Sequence, residues 1–315
     1  MELKTRGSVE SLDLLENPGF YTSTKNRKEL ILILVTGAGK TGKTITQALT
    51  AHGVDVRAIV QKDDQIADMK QAGAQEVFVS DLMDESTLNK AFFGSSAIYH
   101  VCPRMHPQEE EIGQLMIQLA EKNHLKHFVY QSVLHPQIEE LPHHWKKMKV
   151  EAQLFRMNMP FTILQPAAYM QNVLDELDKT LKTGEYRIPY PRSSKISMID
   201  LNDLAEVVVK VFSETGHENA IYELSSSETL SALDVATAAA AVTGKLILAG
   251  AYDRKKWEKD SRSAGLSDYA VDASLKLFQY YEENHFIGNP NQLTWLLGRE
   301  PTTFEQFFRQ VYKNN

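Results

Sequence analysis

The stretch Leu30-Ile31-Leu32-Ile33-Leu34-Val35-Thr36-Gly37-Ala38-Gly39-Lys40-Thr41-Gly42-Lys43-Thr44 decides the fold. Its first part is an unbroken apolar run, as expected of a strand buried on both faces of a parallel sheet. Its second part is a glycine cluster, after which residues 44–52 read as a helix ended by Gly53 and residues 55–61 as a second strand. Working outward, the same alternation predicts strands at 76–79, 97–101, 127–131 and 161–164, with helices at 65–71, 85–92, 108–123 and 144–157 between them. Parallel strands need crossover helices, and right-handed crossovers on both faces give an α/β fold: a doubly wound parallel Rossmann sheet with its crevice at the carboxyl ends of the strands.

Past Pro166 the order loosens. A helix is expected near 168–181, then turns at Gly184, Pro189 and Pro191, then helices at 202–213 and 233–243. Leu204, Val207, Val208 and Val211 form one apolar stripe, with Asp200 and Asp203 as capping candidates. The reading divides the chain into a flexible extension (1–29), a doubly wound α/β domain (30–165) and a second, smaller C-terminal unit (166–315). With 315 residues, 43% hydrophobic and 24% charged, the chain is long enough for one large core and a satellite. A net charge of −7 argues against nucleic acid as a partner. The single Cys102 excludes an intrachain disulfide, and together with the absence of a long apolar span it points to a cytoplasmic protein without a membrane segment. Histidines 124, 127, 135, 143 and 144 cross a strand and a loop without metal-ligand spacing, so they are expected at the surface and no metal is expected.

The loop supports two ligand readings. Gly37-Ala38-Gly39-Lys40-Thr41-Gly42 satisfies G-x-G-x-x-G between a strand and a helix, the setting in which backbone amides hold a pyrophosphate. Gly37, Gly42, Lys43 and Thr44 also stand at P-loop spacing, with Asp81 available as a metal-binding acid. A dinucleotide site wants a ribose-reading group at the end of the second strand, where Gln61 and Lys62 stand. Lys62 attracts a 2′-phosphate while Asp63 and Asp64 repel one, which leaves the choice of coenzyme open at these residues; NADP(H) is kept as slightly favoured over NAD(H).

Further along, an ordered series of segments resembles the NmrA-like branch of the atypical short-chain dehydrogenase/reductases. The series runs through Val35-Thr36-Gly37-Ala38, Val56-Arg57-Ala58-Ile59-Val60, Ser80-Asp81-Leu82-Met83-Asp84, His127-Phe128-Val129-Tyr130-Gln131-Ser132-Val133 and Lys147-Met148-Lys149-Val150-Glu151. It continues with Thr162-Ile163-Leu164-Gln165-Pro166, Tyr169-Met170-Gln171-Asn172 and Gly298-Arg299-Glu300-Pro301-Thr302-Thr303-Phe304. This resemblance implies that 30–165 is an NAD(P)-binding Rossmann domain and 166–315 a smaller substrate- or partner-binding region, with NAD(P) held by Gly37, Ala38, Gly39, Lys40, Thr41, Gly42, Gln61, Lys62, Asp81, Leu82, Cys102 and Lys147, and Tyr169 and Asn172 lining a substrate cleft. The loop is one residue shorter than the family's usual G-x-x-G-x-x-G, and Gln61 replaces a frequent Arg.

Hydride transfer needs an oriented nicotinamide and a group facing the developing oxyanion. The Tyr-x-x-x-Lys pairs in the sequence, Tyr21/Lys25 and Tyr252/Lys256, stand away from the fifth and sixth strands and are read as coincidence. At the expected place stands Lys147, on a helix whose apolar stripe is read as Trp145, Met148, Ala152 and Phe155; its alternative is an i,i+4 surface pair with Glu151. Lys147 and Ser132 are the catalytic candidates. The leading expectation is an NAD(P)H-dependent reductase of a small carbonyl, quinone or related electrophile. A non-catalytic NAD(P)-sensing regulator with a protein partner is the alternative, and a P-loop NTPase the third.

Overall fold

A computed structural model describes residues 31–313. The 1–29 extension, Leu30 and the Tyr21/Lys25 pair lie outside the described residues. The first half of the chain runs β1 (Leu32–Thr36), α1 (Lys40–Ala51), β2 (Asp55–Val60), α2 (Ile66–Gln71), β3 (Glu76–Val79), α3 (Glu85–Phe92), β4 (Ala97–His100), α4 (Glu109–Lys122), β5 (His127–Gln131), α5 (Pro142–Leu154) and β6 (Phe161–Pro166). The second half adds β7 (Ala168–Tyr169), α6 (Leu177–Thr183), β8 (Glu185–Ile188), β9 (Ile196–Ile199), α7 (Leu201–Ser213), β10 (Ala220–Leu224), β11 (Thr229–Leu230), α8 (Ala232–Thr243) and β12 (Leu248–Ala251). Four helices close it: α9 (Arg254–Ser263), α10 (Asp268–Glu283), α11 (Asn291–Leu297) and α12 (Phe304–Lys313).

Seven strands form one parallel sheet in the order β10-β6-β5-β4-β1-β2-β3. The apolar run in β1 is explained by burial on both sides. Ile33 and Val35 pack with Ile45 and Leu49 of α1 and Leu204, Val207 and Val208 of α7, whereas Leu34 faces Phe92, Ile112 and Met116 of α3 and α4. The order reverses at β1, with β4 on one side and β2 on the other, so a crevice opens at the carboxyl ends of these strands. A third cluster, with Met170, Val235, Phe304, Phe307 and Phe308, forms around α8 and α12.

The α7 stripe is buried as read, and Asp200 caps the helix by accepting from Asn202 N at 2.9 Å. Asp203 does something else. Buried on the first turn, it accepts from Arg299 (2.8 Å), from Thr302 N (2.7 Å) and from the Thr302 hydroxyl (2.9 Å), tying the C-terminal segment to the sheet layer.

Several expectations need correction. The helix read near 168–181 begins as β7, because Ala168 and Tyr169 pair with Met198 and Ile199 of β9; a 3₁₀ segment, Met170–Glu176, separates it from α6. On α5 the buried face is His144, Val150, Glu151 and Leu154, while Phe155 is 60% exposed. Lys147, one turn from both His144 and Glu151, therefore points inward. Strand β10 escaped the reading because it is an edge strand in which Leu224 alone is fully buried.

The histidines are also mostly not at the surface. His127 and His144 are buried and His124 is exposed, while His135 and His143 are half-buried. Burial holds His100, His127 and His144 at a pKa of about 4, below the ordinary 6.5. Between these values the unfolded chain takes up protons that the folded one refuses. Stability is thus retained above pH 6.5 and lost as pH falls toward 4, at about 1.4 kcal/mol per histidine per pH unit. Urea midpoints should fall steadily from pH 7 to pH 5, and a flat profile would contradict the burial of these rings. Independently, Asp203→Ala strands the Thr302 amide and the Arg299 guanidinium, and should cost about 2–4 kcal/mol of unfolding free energy in urea titrations at neutral pH.

Candidate functional site

The glycine loop is built around one close approach. Gly37, at φ +95°, turns the chain back after β1, and a Cβ on Gly42 would lie 2.0 Å from the Gly37 carbonyl oxygen. No other residue fits at 42 without moving the loop. Gly39 takes the N-cap place of α1 with no side-chain cap, and no acidic residue stands in the first turn. A Cβ on Gly39 would meet nothing within 4 Å. The amides at the helix head thus face open space with no anion answering them, which is the chemistry of a phosphate cradle.

The P-loop side chains point elsewhere. Lys43 reaches Asp68 of α2 at 3.6 Å, and the Thr44 hydroxyl donates to the Lys40 carbonyl at 2.9 Å. Neither borders the cavity in front of the loop. That cavity, about 670 Å³, is bordered by Gly37 to Gly42, Gln61, Leu82, Cys102, Ser132, Lys147, Tyr169 and Asn172. The volume lies in the range of small-molecule sites. Two of the expected cofactor residues do not border it. Lys62 is exposed beyond the end of β2, and Asp81 accepts from Met83 N (2.8 Å), shaping the turn after β3. Gln65 borders the cavity in place of Lys62, and its Oε1 accepts from the Gln61 and Lys62 amides at 3.0 and 3.1 Å.

Lys147 is the best-fixed cation on the wall. Its Nζ lies 2.8 Å from Glu109 Oε1 and 3.4 Å from the Gln131 carbonyl, 5.4 Å from the centre of the Tyr130 ring. Its partner is Glu109 across the layer rather than Glu151 on its own helix. Burial pushes the Glu109 carboxyl up, but the Lys147 charge and hydrogen bond, with His100 and Tyr130, outweigh it and hold the carboxyl below its ordinary value. The Tyr130 hydroxyl donates to Glu109 at 2.8 Å, and burial followed by the Glu109 charge raises that phenol well above its ordinary range. Glu151 is instead raised by burial, opposed by the nearby Ser132 hydroxyl and by the Gln165 amide, which is 3.0 Å from both carboxylate oxygens.

Tyr169 is held as firmly. It accepts from Gln131 Nε2 at 2.5 Å, Gln131 in turn accepts from the Tyr99 hydroxyl, and burial pushes the Tyr169 phenol up to about 12. Across the mouth Lys40 pairs with Asp175 and reaches the Gln171 carbonyl at 3.5 Å, so the 3₁₀ segment is strapped to the helix that carries the loop. Cys102 is buried and its thiol is pushed up by burial, which fits a wall position rather than a nucleophile.

Sequence reasoning missed three parts of the wall. His143, four residues before Lys147, borders the cavity with a buried Nδ1 that has no hydrogen-bond partner among the described residues, and burial lowers its pKa to about 2. The His-x-x-x-Lys spacing was the available signal. Arg104, just past β4, also borders the cavity, as do Tyr190, Phe278 and Tyr281 from the second half of the chain. Nothing local marks those aromatics as site residues.

The chain is 25% identical to the NAD(P)H azoreductase of Xenophilus azovorans over 279 residues, 88% of this chain and 96% of that protein. The NADPH-dependent quinone oxidoreductase of Escherichia coli, solved with NADPH, superposes with a TM-score of 0.76 at 22% identity, over 89% of this chain and 99% of that one. NmrA, a negative transcriptional regulator solved with NAD, superposes with a TM-score of 0.73 at 15% identity, over 91% and 97%. The NmrA-like family pattern matches residues 27–306, most of the sequence, and with the seven-stranded sheet and the glycine cradle in place the chain belongs to the NmrA-like family.

Proposed function

We propose that this protein is an NAD(P)H-dependent reductase of a small carbonyl, quinone or related electrophile. One observation carries the reading: Lys147, fixed by Glu109 and Gln131, borders the same cavity as the uncapped head of α1. The azoreductase and quinone oxidoreductase likenesses, over nearly the whole chain, support the same reading.

A nicotinamide dinucleotide, when bound, supplies the hydride. The chain does the rest. The amides of Lys40, Thr41 and Gly42 hold the diphosphate, while Gln61 and Gln65 face the adenosine ribose. Lys147 donates a hydrogen bond to a ribose hydroxyl and places positive charge where an oxyanion develops. Ser132 and Asn172 contact the substrate. His143 occupies the turn of α5 before Lys147 and is neutral, so it donates an N–H hydrogen bond rather than a proton. Neutral glutamines neither attract nor repel a 2′-phosphate, so the two coenzymes bind within about tenfold of each other, with NADP(H) slightly favoured through Lys62 against the opposing Asp63 and Asp64. We take 30–165 as the main part of the Rossmann half and 166–315 as the substrate half, with α7 and β10 of the latter completing the sheet layer. The setting is the cytoplasm, in keeping with one buried Cys102 and with no described helix long and apolar enough to cross a membrane.

A second reading has one observation in its favour. The α5 position four residues before Lys147, where short-chain dehydrogenases commonly carry the Tyr of Tyr-x-x-x-Lys, holds His143, which suits a dinucleotide-sensing regulator; the neighbouring NmrA is a negative transcriptional regulator solved with NAD. Oxidation of NADPH across a quinone and aldehyde panel separates the two, since a sensor binds the coenzyme and leaves it reduced. Under the reductase reading, Lys147→Met should lower kcat/KM by about 10²-fold or more, and Glu109→Gln, which releases Lys147, by less. Lys43→Ala should leave coenzyme affinity within about twofold of the parent, because its ammonium serves Asp68; an ATP-Mg site lost in that variant would overturn the dinucleotide reading.

A further inference from the structure

We propose that the substrate end of the cavity is built for an anion: a flat, apolar electrophile bearing a carboxylate or sulfonate, received by Arg104. The proposal rests on the reductase reading for its chemistry and on the charges of the wall for its specificity.

The other charges on the wall are answered. Lys40 is paired with Asp175, the one carboxylate among the described residues that border the cavity, and Lys147 is paired with Glu109. His143 and His144, held at about 2 and about 4 by burial, are neutral at physiological pH. Arg104 is exposed, borders the cavity, and has neither an ion pair nor a hydrogen bond among the described residues. The wall therefore carries one uncompensated positive charge.

Its place assigns it to substrate rather than to coenzyme. The next residue, Met105, accepts the Ser274 hydroxyl of α10 on its sulfur at 3.2 Å, and the Arg104 charge is felt by His143 of α5 and Tyr281 of α10. That is the aromatic end of the cavity, where Tyr190 meets Tyr281 edge-on at 5.2 Å and Phe286 meets Tyr281 at 5.6 Å. Nearby, Lys146 donates to the Pro107 carbonyl at 2.8 Å and brings a second cation to the same loop. Aromatic walls favour a flat apolar body. A free guanidinium at their edge favours a planar or trigonal oxyanion, which it grips through two N–H groups, and it repels a cationic dye. In the reaction itself the hydride passes from the dihydronicotinamide to the electrophile and one proton enters from water, so the anionic group is a handle and is not consumed.

The test compares NADPH oxidation with 1,2-naphthoquinone and with its 4-sulfonate, in the full-length protein and in Arg104→Gln and Arg104→Lys. The readout is the ratio of kcat/KM for the sulfonate to that for the parent quinone, because intrinsic reactivity cancels between variants. Arg104→Gln should lower the ratio at least about tenfold and Arg104→Lys less, and the parent protein's ratio should fall with added salt. An unchanged ratio overturns the proposal, as does a ratio that holds while NADPH affinity drops, which would assign the guanidinium to the coenzyme. If neither quinone is turned over, the reductase reading fails and the anion site is judged separately, by calorimetry of naphthalene-2-sulfonate on the NADP⁺-loaded protein. Binding weakened about tenfold in Arg104→Gln supports the site, and equal binding overturns it.

Discussion

The packing of Gly42 against the carbonyl of Gly37 is the constraint on which the rest of the site depends. With 2.0 Å between that oxygen and the place a Cβ would take, α1 can start only here, immediately at the carboxyl edge of β1. Two consequences follow. The head of the helix is aimed at the crevice where the strand order reverses, and its unpartnered amides concentrate positive potential there. Gly39, open on its exposed side, leaves room for a ligand to reach that potential. The loop, one residue shorter than the family's usual pattern, closes by making its turn at Gly37 and its close contact at Gly42.

The remaining walls are tied to this loop by charge and by hydrogen bonds through buried groups. Glu109, at the first position of α4, is 3% exposed, and without Lys147 it would carry a buried, unanswered charge. The pair therefore fixes α5 against α4 and aims the lysine at the cavity at the same time. Gln131 extends the frame, since it links Tyr99 of β4 to Tyr169 of β7, and its carbonyl steadies Lys147. The exposed Lys40 pair with Asp175 is a weaker tie, of the kind that solvent screens. The frame around Lys147 is accordingly rigid, and the mouth above the glycine loop is the softer part.

How much of this was legible in the sequence depends on the range of each interaction. The βα alternation through β6 and the glycine cradle were readable because burial on both faces of a sheet imposes a local pattern, and Ile33, Leu34 and Val35 carry it in three consecutive residues. The helix that carries Lys147 was read with the wrong buried face. Its stripe was judged from apolar residues alone, and on α5 the buried face includes His144 and Glu151, polar groups whose partners lie on other elements. Lys62 was expected on the wall from its distance past the loop, yet the wall there is made by Gln65, one short turn later. The aromatic end could not be read at all. Tyr190, Phe278 and Tyr281 come to border the same cavity as His143 only through long-range packing, and no spacing in the chain records it.

The protonation states of the wall narrow the chemistry the proposed reductase can perform. Tyr169 and Cys102 on the wall, with Tyr130 against Lys147, are pushed upward by burial, while His143 and His144 are pushed down. The groups that shape the cavity thus sit on the far sides of neutrality, and none of them both gives and regains a proton readily near pH 7. A simple ketone becomes a strongly basic alkoxide on accepting hydride and needs a proton in the transition state. A quinone becomes an aromatic phenolate, a far weaker base, which can leave as the anion or be protonated by water later. For that product a fixed positive charge and a neutral N–H donor suffice, and Lys147 and His143 are those two groups. Within the range of electrophiles proposed, this wall is therefore suited to acceptors whose reduced anion is delocalised, and poorly suited to aliphatic carbonyls.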